Sequence, residues 1–102
     1  MGLYGEFSDE EVVKEIKEYL AKGAVVLDVR TDGEWDEGHS VGAKHIVLDT
    51  LPENIDEIEA WGKPVIAVCR SGARSQRATD YLESNGIDTI NGGPWQNVDQ
   101  FL

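Results

Sequence analysis

One cysteine, Cys69, is all the thiol chemistry this 102-residue chain carries. That excludes an internal disulfide and a Cys-x-x-Cys redox couple, and anything loaded onto the sulfur has to leave to another molecule. Basic residues are also scarce: nine Lys and Arg against twenty Asp and Glu give a formal charge of −11. Such a balance argues against nucleic acid as a partner, because phosphate backbones are met by clustered cations. So many acids read as a solvated surface. No window approaches the ~20 apolar residues of a membrane span. The opening Met1-Gly2-Leu3-Tyr4-Gly5-Glu6 lacks the basic and apolar regions of a secretory signal. No His/Cys cluster has zinc-ligand spacing, so neither metal nor cofactor is expected. These absences predict a cytoplasmic protein, and the length predicts one domain over residues 1–102 with a real core.

Helix and strand signals alternate along what is there. Ser8 to Glu11 forms a capping box, with Ser8 as N-cap, and Val12, Val13, Ile16, Tyr19 and Leu20 then recur at helical spacing until Gly23. Ala24 to Val29 is an apolar run broken only by Asp28, as in a strand buried on both faces. Thr31 to Glu34 repeats the capping-box pattern and opens a brief helical turn that stops at Gly38. His45 to Leu48 reads as a short strand, Asn54 to Trp61 as a helix ended by Gly62, and Pro64 to Val68 as the strand that delivers Cys69. The next helix sets Ala78, Tyr81 and Leu82 on one face against Arg77, Asp80 and Glu83 on the other, and Asn85-Gly86 closes it. Ile87 to Ile90 gives a last strand, and Asn91 to Pro94 a turn into a terminal helix; Leu3 to Phe7 adds one further strand. The pattern predicts an α/β fold, a small, mostly parallel open sheet of about five strands with helices on both faces. In such sheets ligands bind beyond the carboxyl ends of the strands.

Cys69 stands at one of those ends. After it, Arg70-Ser71-Gly72-Ala73-Arg74-Ser75 makes a short turn that opens a helix. Helix-start N–H groups have no partner inside the helix, and a tight loop folds its amides into an anion nest. Both stabilise a thiolate, as does positive charge, so Cys69 reads as a nucleophile with a depressed pKa. Arg70, Arg74 and Arg77 form a basic island in an acidic chain, which suits a small anionic ligand. Arg74 either contacts that ligand or locks to an acid beneath the loop; the spacing leaves both open. Trp35, Trp61 and Trp95 read as packing, and Glu53, Asp56, Glu57 and Glu59 as a solvated face.

Several segments together resemble the single-domain rhodanese-like sulfurtransferase family. Asp28-Val-Arg30 looks like its D-V-R strand end. Glu34 to Ala43, with Trp35, Gly38, His39 and Gly42, is similar to its E-(aromatic)-x-x-G-H signature. Cys69-Arg-Ser-Gly72-Ala-Arg74 matches its active loop, and Asn91-Gly92-Gly93 its late double glycine. Ser40 stands where an aliphatic residue is usual, and His45 where Asn is common. The resemblance implies a sulfurtransferase that moves a sulfane sulfur from a donor such as thiosulfate, through a Cys69 persulfide, to cyanide or a thiol. It assigns catalysis to Cys69, substrate binding to Arg70, Ser71, Gly72, Ala73, Arg74 and Ser75, and support of the loop to Asp28, Arg30, Glu34 and His39. His39 then reads as an orienting hydrogen-bond partner, with a general-base role as the alternative. Other readings are a protein-to-protein sulfur relay, a non-catalytic interaction module, and a cysteine-loop phosphatase or arsenate reductase. The last class uses Cys-x5-Arg, one residue longer than the spacing here.

Overall fold

The computed structural model describes residues 10–102. Its elements are α1 (Glu10–Ala21), β1 (Val25–Asp28), α2 (Asp32–Glu37), β2 (Lys44–His45), a 3-10 turn (Leu48–Asn54) running into α3 (Ile55–Ala60), β3 (Val65–Cys69), α4 (Ala73–Ser84), β4 (Thr89–Pro94) and α5 (Trp95–Asp99). Four strands pair in the order β2-β1-β3-β4, every pair parallel. The strand expected at Leu3 to Phe7 and the Ser8 cap lie outside the described residues.

Alternation along β3 decides which side Cys69 faces. Val65, Ala67 and Cys69 join Leu27, Leu51, Ile58, Ala78 and Leu82 in one apolar cluster, beneath α3 and α4. Ile66 and Val68 point the other way, to Ile16, Val26 and Val98 beneath α1 and α5. With both faces covered, the inner strands read as unbroken apolar runs. Cys69 therefore lies on the side of the helix that begins just beyond it.

The structure departs from the sequence reading at two strands. Of the strand expected over His45 to Leu48 only His45 pairs with β1, together with Lys44 just before it, and the chain curls into the 3-10 turn at Leu48. A larger correction concerns Asn91 to Pro94, read as a turn. These residues are the last four of the six in β4, which pairs with β3 as far as Cys69 opposite Pro94. The ladder survives because it carries a bulge: Ala67 pairs with Asn91 and Val68 with Gly93, so Gly92 is the extra residue. Only glycine fits there, since a Cβ would lie 2.8 Å from Ile66 Cγ2 and 3.0 Å from Val68 Cγ1. Pro94 is tolerated because β4 is an edge strand of the described sheet.

Candidate active site

β3 ends at Cys69, and α4 starts after a loop whose N-cap, Gly72, has φ 105°. That left-handed conformation is one L side chains rarely adopt, so glycine makes the turn possible. No side chain caps this helix end, and its first turn holds no acid. The free amides turn instead to the sulfur. Gly72 N–H donates to Cys69 Sγ at 3.0 Å and Ser75 N–H at 3.4 Å, while Ser75 Oγ stands 3.3 Å away. Cys69 has no exposed surface. Burial alone pushes its thiol up, but the Ser75 hydroxyl within reach of the sulfur and the amides of Ser75, Gly72 and Ser71 together outweigh it. The net effect is a thiol held below its ordinary value.

Arg74 is engaged by Glu34. Its Nη1 and Nη2 donate to Glu34 Oε1 and Oε2 at 2.7 and 2.9 Å, a two-point clamp between α4 and α2. Glu34 is itself the third-position acid of the α2 capping box: Thr31 N–H donates to it, and its own N–H bonds Thr31 Oγ1. Glu34 thus ties the Cys69 loop to the end of β1. The Arg74 bond, partly opposed by burial and aided by Thr31, holds the Glu34 carboxyl down at about 2. A carboxyl lowered on folding stabilises fully above its unfolded value, about 4.3. That stabilisation drains away as pH falls from there through about 2. Wild-type protein is therefore expected to lose more unfolding free energy across this window than Glu34→Gln, measured by denaturant titration at stepped pH. Parallel losses in the two proteins would contradict the clamp.

The other expected supports lie nearby. Arg30 Nε donates to both Asp28 oxygens at 2.9 and 3.0 Å, and Nη2 to Asp28 Oδ2 at 2.8 Å and to the Gly38 carbonyl at 2.7 Å. Its guanidinium also lies 5.1 Å from the Trp95 ring centroid. His39 donates from Nδ1 to the Trp35 carbonyl at 2.8 Å and stacks on the Trp35 ring at 3.5 Å between centroids. The structure thus gives His39 an orienting contact. Trp35 also stacks on His45. Arg70 is exposed and has no ion-pair partner among the described residues. With Arg30, Glu34, Glu37, Trp95 and Gln96 it lines a cavity of about 230 Å³ beside the loop. Ala73, the first residue of α4, is exposed. Among the described residues no group of His, Cys, Asp and Glu forms a metal cluster, and no helix is long and apolar enough to cross a membrane.

Asn91 was missed by reading the sequence. Its Oδ1 accepts from Ser75 Oγ at 2.6 Å and from Gly93 N–H at 2.9 Å, and its Nδ2 donates to the Gly72 carbonyl at 3.0 Å. The available signal was the paired glycine after a strand pattern, which marks a bulge that re-aims a neighbouring side chain.

Comparison with known proteins bears on the family and the fold. A family model described as the rhodanese-like domain matches residues 12–93. The Bacillus subtilis protein YtwF, named provisionally as a sulfurtransferase, is 36% identical over 66 residues, 65% of this chain and 63% of that protein. The chain thus spans less than two thirds of that relative's length. The thiosulfate sulfurtransferase GlpE of Tolumonas auensis is 34% identical over 78 residues, 72% of this chain and 73% of that protein. Among solved structures, a rhodanese-like domain protein from Staphylococcus aureus is similar with a TM-score of 0.70 at 35% identity, covering 84% of this chain and 86% of that one.

Proposed function

The chain belongs to the rhodanese-like domain family, and on that premise we propose that it is a sulfurtransferase working through a persulfide on Cys69. The observation that carries this reading is the pair of main-chain N–H groups, Gly72 and Ser75, aimed at Sγ from an uncapped helix start. Such donors are fixed before any charge develops and cost no rearrangement when it does.

The chemistry runs in two displacements. Cys69 is fully buried at rest, so residues 70–71 have to move aside to admit the donor while the Gly72 and Ser75 N–H groups stay in place. The Cys69 thiolate attacks the outer sulfur of an anionic donor such as thiosulfate. A new S–S bond forms, the donor's own S–S bond breaks, and sulfite departs with the electron pair. The persulfide's outer sulfur now carries the negative charge. An acceptor, cyanide or a thiolate, attacks that sulfur and returns Cys69 as thiolate. Arg70, free of any ion pair among the described residues, attracts the donor with a planar fork suited to an oxyanion. Arg74 is spoken for by Glu34 and holds the loop's shape. The four residues between Cys69 and Arg74 leave a nest sized for one sulfur atom rather than for a phosphoryl group. The compartment in this reading is the cytoplasm, where a lone thiol stays reduced.

Intact mass after incubation with thiosulfate tests the proposal. A gain of one sulfur atom, removed by cyanide with release of thiocyanate, is the expected result. No mass gain, together with hydrolysis of an aryl phosphate in a parallel assay, would move the protein to the phosphatase class.

A further inference from the structure

The sulfur transfer just described makes no use of one polar network that touches its nucleophile. Asn91 is pinned at both ends by main-chain atoms whose roles cannot be exchanged. Gly72 O only accepts, so it fixes Nδ2; Gly93 N–H only donates, so it fixes Oδ1. Gln76 Oε1 takes a second bond from Nδ2 at 3.1 Å. Oδ1 therefore faces Ser75, and at 2.6 Å the Ser75 hydroxyl has to be the donor. A hydroxyl has one proton to give. Once that proton is committed, Ser75 shows only lone pairs to Cys69 Sγ at 3.3 Å. A thiol can donate across that gap; a thiolate draws on the hydroxyl only when Ser75 gives up its bond to Asn91.

We propose that Asn91 is a positioning residue for the nucleophile: by turning the Ser75 hydroxyl away from sulfur, it favours the states in which Sγ is uncharged. Those states are the resting thiol and the persulfide, whose charge sits on the outer sulfur. To recruit the hydroxyl, the free thiolate has to break the Asn91 bond and set two oxygens face to face. The main-chain N–H groups of Gly72 and Ser75 hold the thiolate without that cost, and the hydroxyl's own pull is discounted by the bond it gives up. In the transfer cycle Asn91 thus penalises the state left when sulfur departs, which keeps sulfur loaded until an acceptor arrives. This last consequence rests on the proposed function; the direction of the hydroxyl does not. The charged groups on the elements around the sulfur are Arg70 in the loop, Arg74 on α4 with its partner Glu34 on α2, and the Asp28–Arg30 pair at the end of β1.

Cys69 is the only thiol in the chain, so the thiolate's ultraviolet absorbance against pH titrates it directly, with Cys69→Ser protein as the blank. Asn91→Ala is expected to move the midpoint to lower pH, raising the thiolate fraction on the acid limb about three- to tenfold, as one released hydroxyl donor should. In a Ser75→Ala background the same change is expected to do much less. Ser75→Ala alone, which leaves Asn91 in place, is expected to shift the midpoint only slightly. An unmoved midpoint in Asn91→Ala, or an equal shift with and without the Ser75 hydroxyl, overturns the proposal. So does a large upward shift in Ser75→Ala alone, which decides the matter even if Asn91→Ala does not fold. Protein that titrates as expected yet takes up no sulfur would sink the proposed function and leave this inference standing.

Discussion

Cys69→Ser is expected to lower sulfur transfer from thiosulfate to cyanide by ~10³-fold or more, the scale on which enzymes lose rate when their nucleophile is removed. An alcohol does not ionise near neutral pH, forms no persulfide and leaves poorly, so both displacements fail together. The substitution is close to isosteric, and the donors that meet the sulfur, Gly72 N–H at 3.0 Å and Ser75 N–H at 3.4 Å, find an oxygen acceptor in its place. Thermal stability is therefore expected to change little. Cys69→Ala behaves differently, although it is equally inactive. It opens a void in the cluster of Leu27, Ala67 and Ala78 and leaves two aimed amides without an acceptor, each costing about 1–3 kcal/mol when buried. Turnover assays beside melting curves separate the two. Residual transfer within tenfold of wild type in either variant would mean that the sulfur passes through some other group.

Much of this site is local, and the local part was legible. A capping box spans four residues, so Thr31 and Glu34 announce α2 with no knowledge of the fold. The β3–loop–α4 unit is contiguous, and an apolar run ending in Cys69 before a Gly72 turn says where the thiol stands. What pairs across the fold was harder to read. That Arg74 locks to an acid was one of two open alternatives, but which acid depends on α2 and α4 meeting, forty positions apart in sequence. Asn91 was lost for a different reason. Asn-Gly-Gly-Pro carries every mark of a turn, and it becomes a strand only because β3 offers a parallel edge and Gly92 absorbs the extra residue as a bulge. Turn propensity lost to tertiary pairing. The region around β2 gave the opposite error: of the strand expected over His45 to Leu48 only its first residue pairs.

Asp28→Ala is expected to be the most destabilising single change outside the apolar core. Asp28 and Arg30 are 1% and 4% exposed. Removing the carboxylate strands a buried guanidinium and also frees the Arg30 main-chain N–H that Asp28 Oδ1 accepts at 3.0 Å. Breaking one side of a buried pair costs about 3–5 kcal/mol. For a chain of this size that lowers Tm by about 15–30 °C. The sign depends on which partner is lost and on what replaces it. Asp28→Asn keeps an oxygen for the Arg30 N–H and is expected to cost less. A double change to apolar residues of similar volume, Asp28→Leu with Arg30→Met, is expected to recover much of the loss, because no charge is left stranded. Arg30→Lys, in contrast, keeps the charge but cannot fork between Asp28 and the Gly38 carbonyl. Its damage should then appear in transfer kinetics as well as in melting, since Gly38, Arg30 and Trp95 wall the cavity beside Arg70. Calorimetry on the four variants checks the order. A cost below about 1 kcal/mol for Asp28→Ala, the range of an exposed ion pair, would show that water reaches the guanidinium and that the loop's support lies elsewhere.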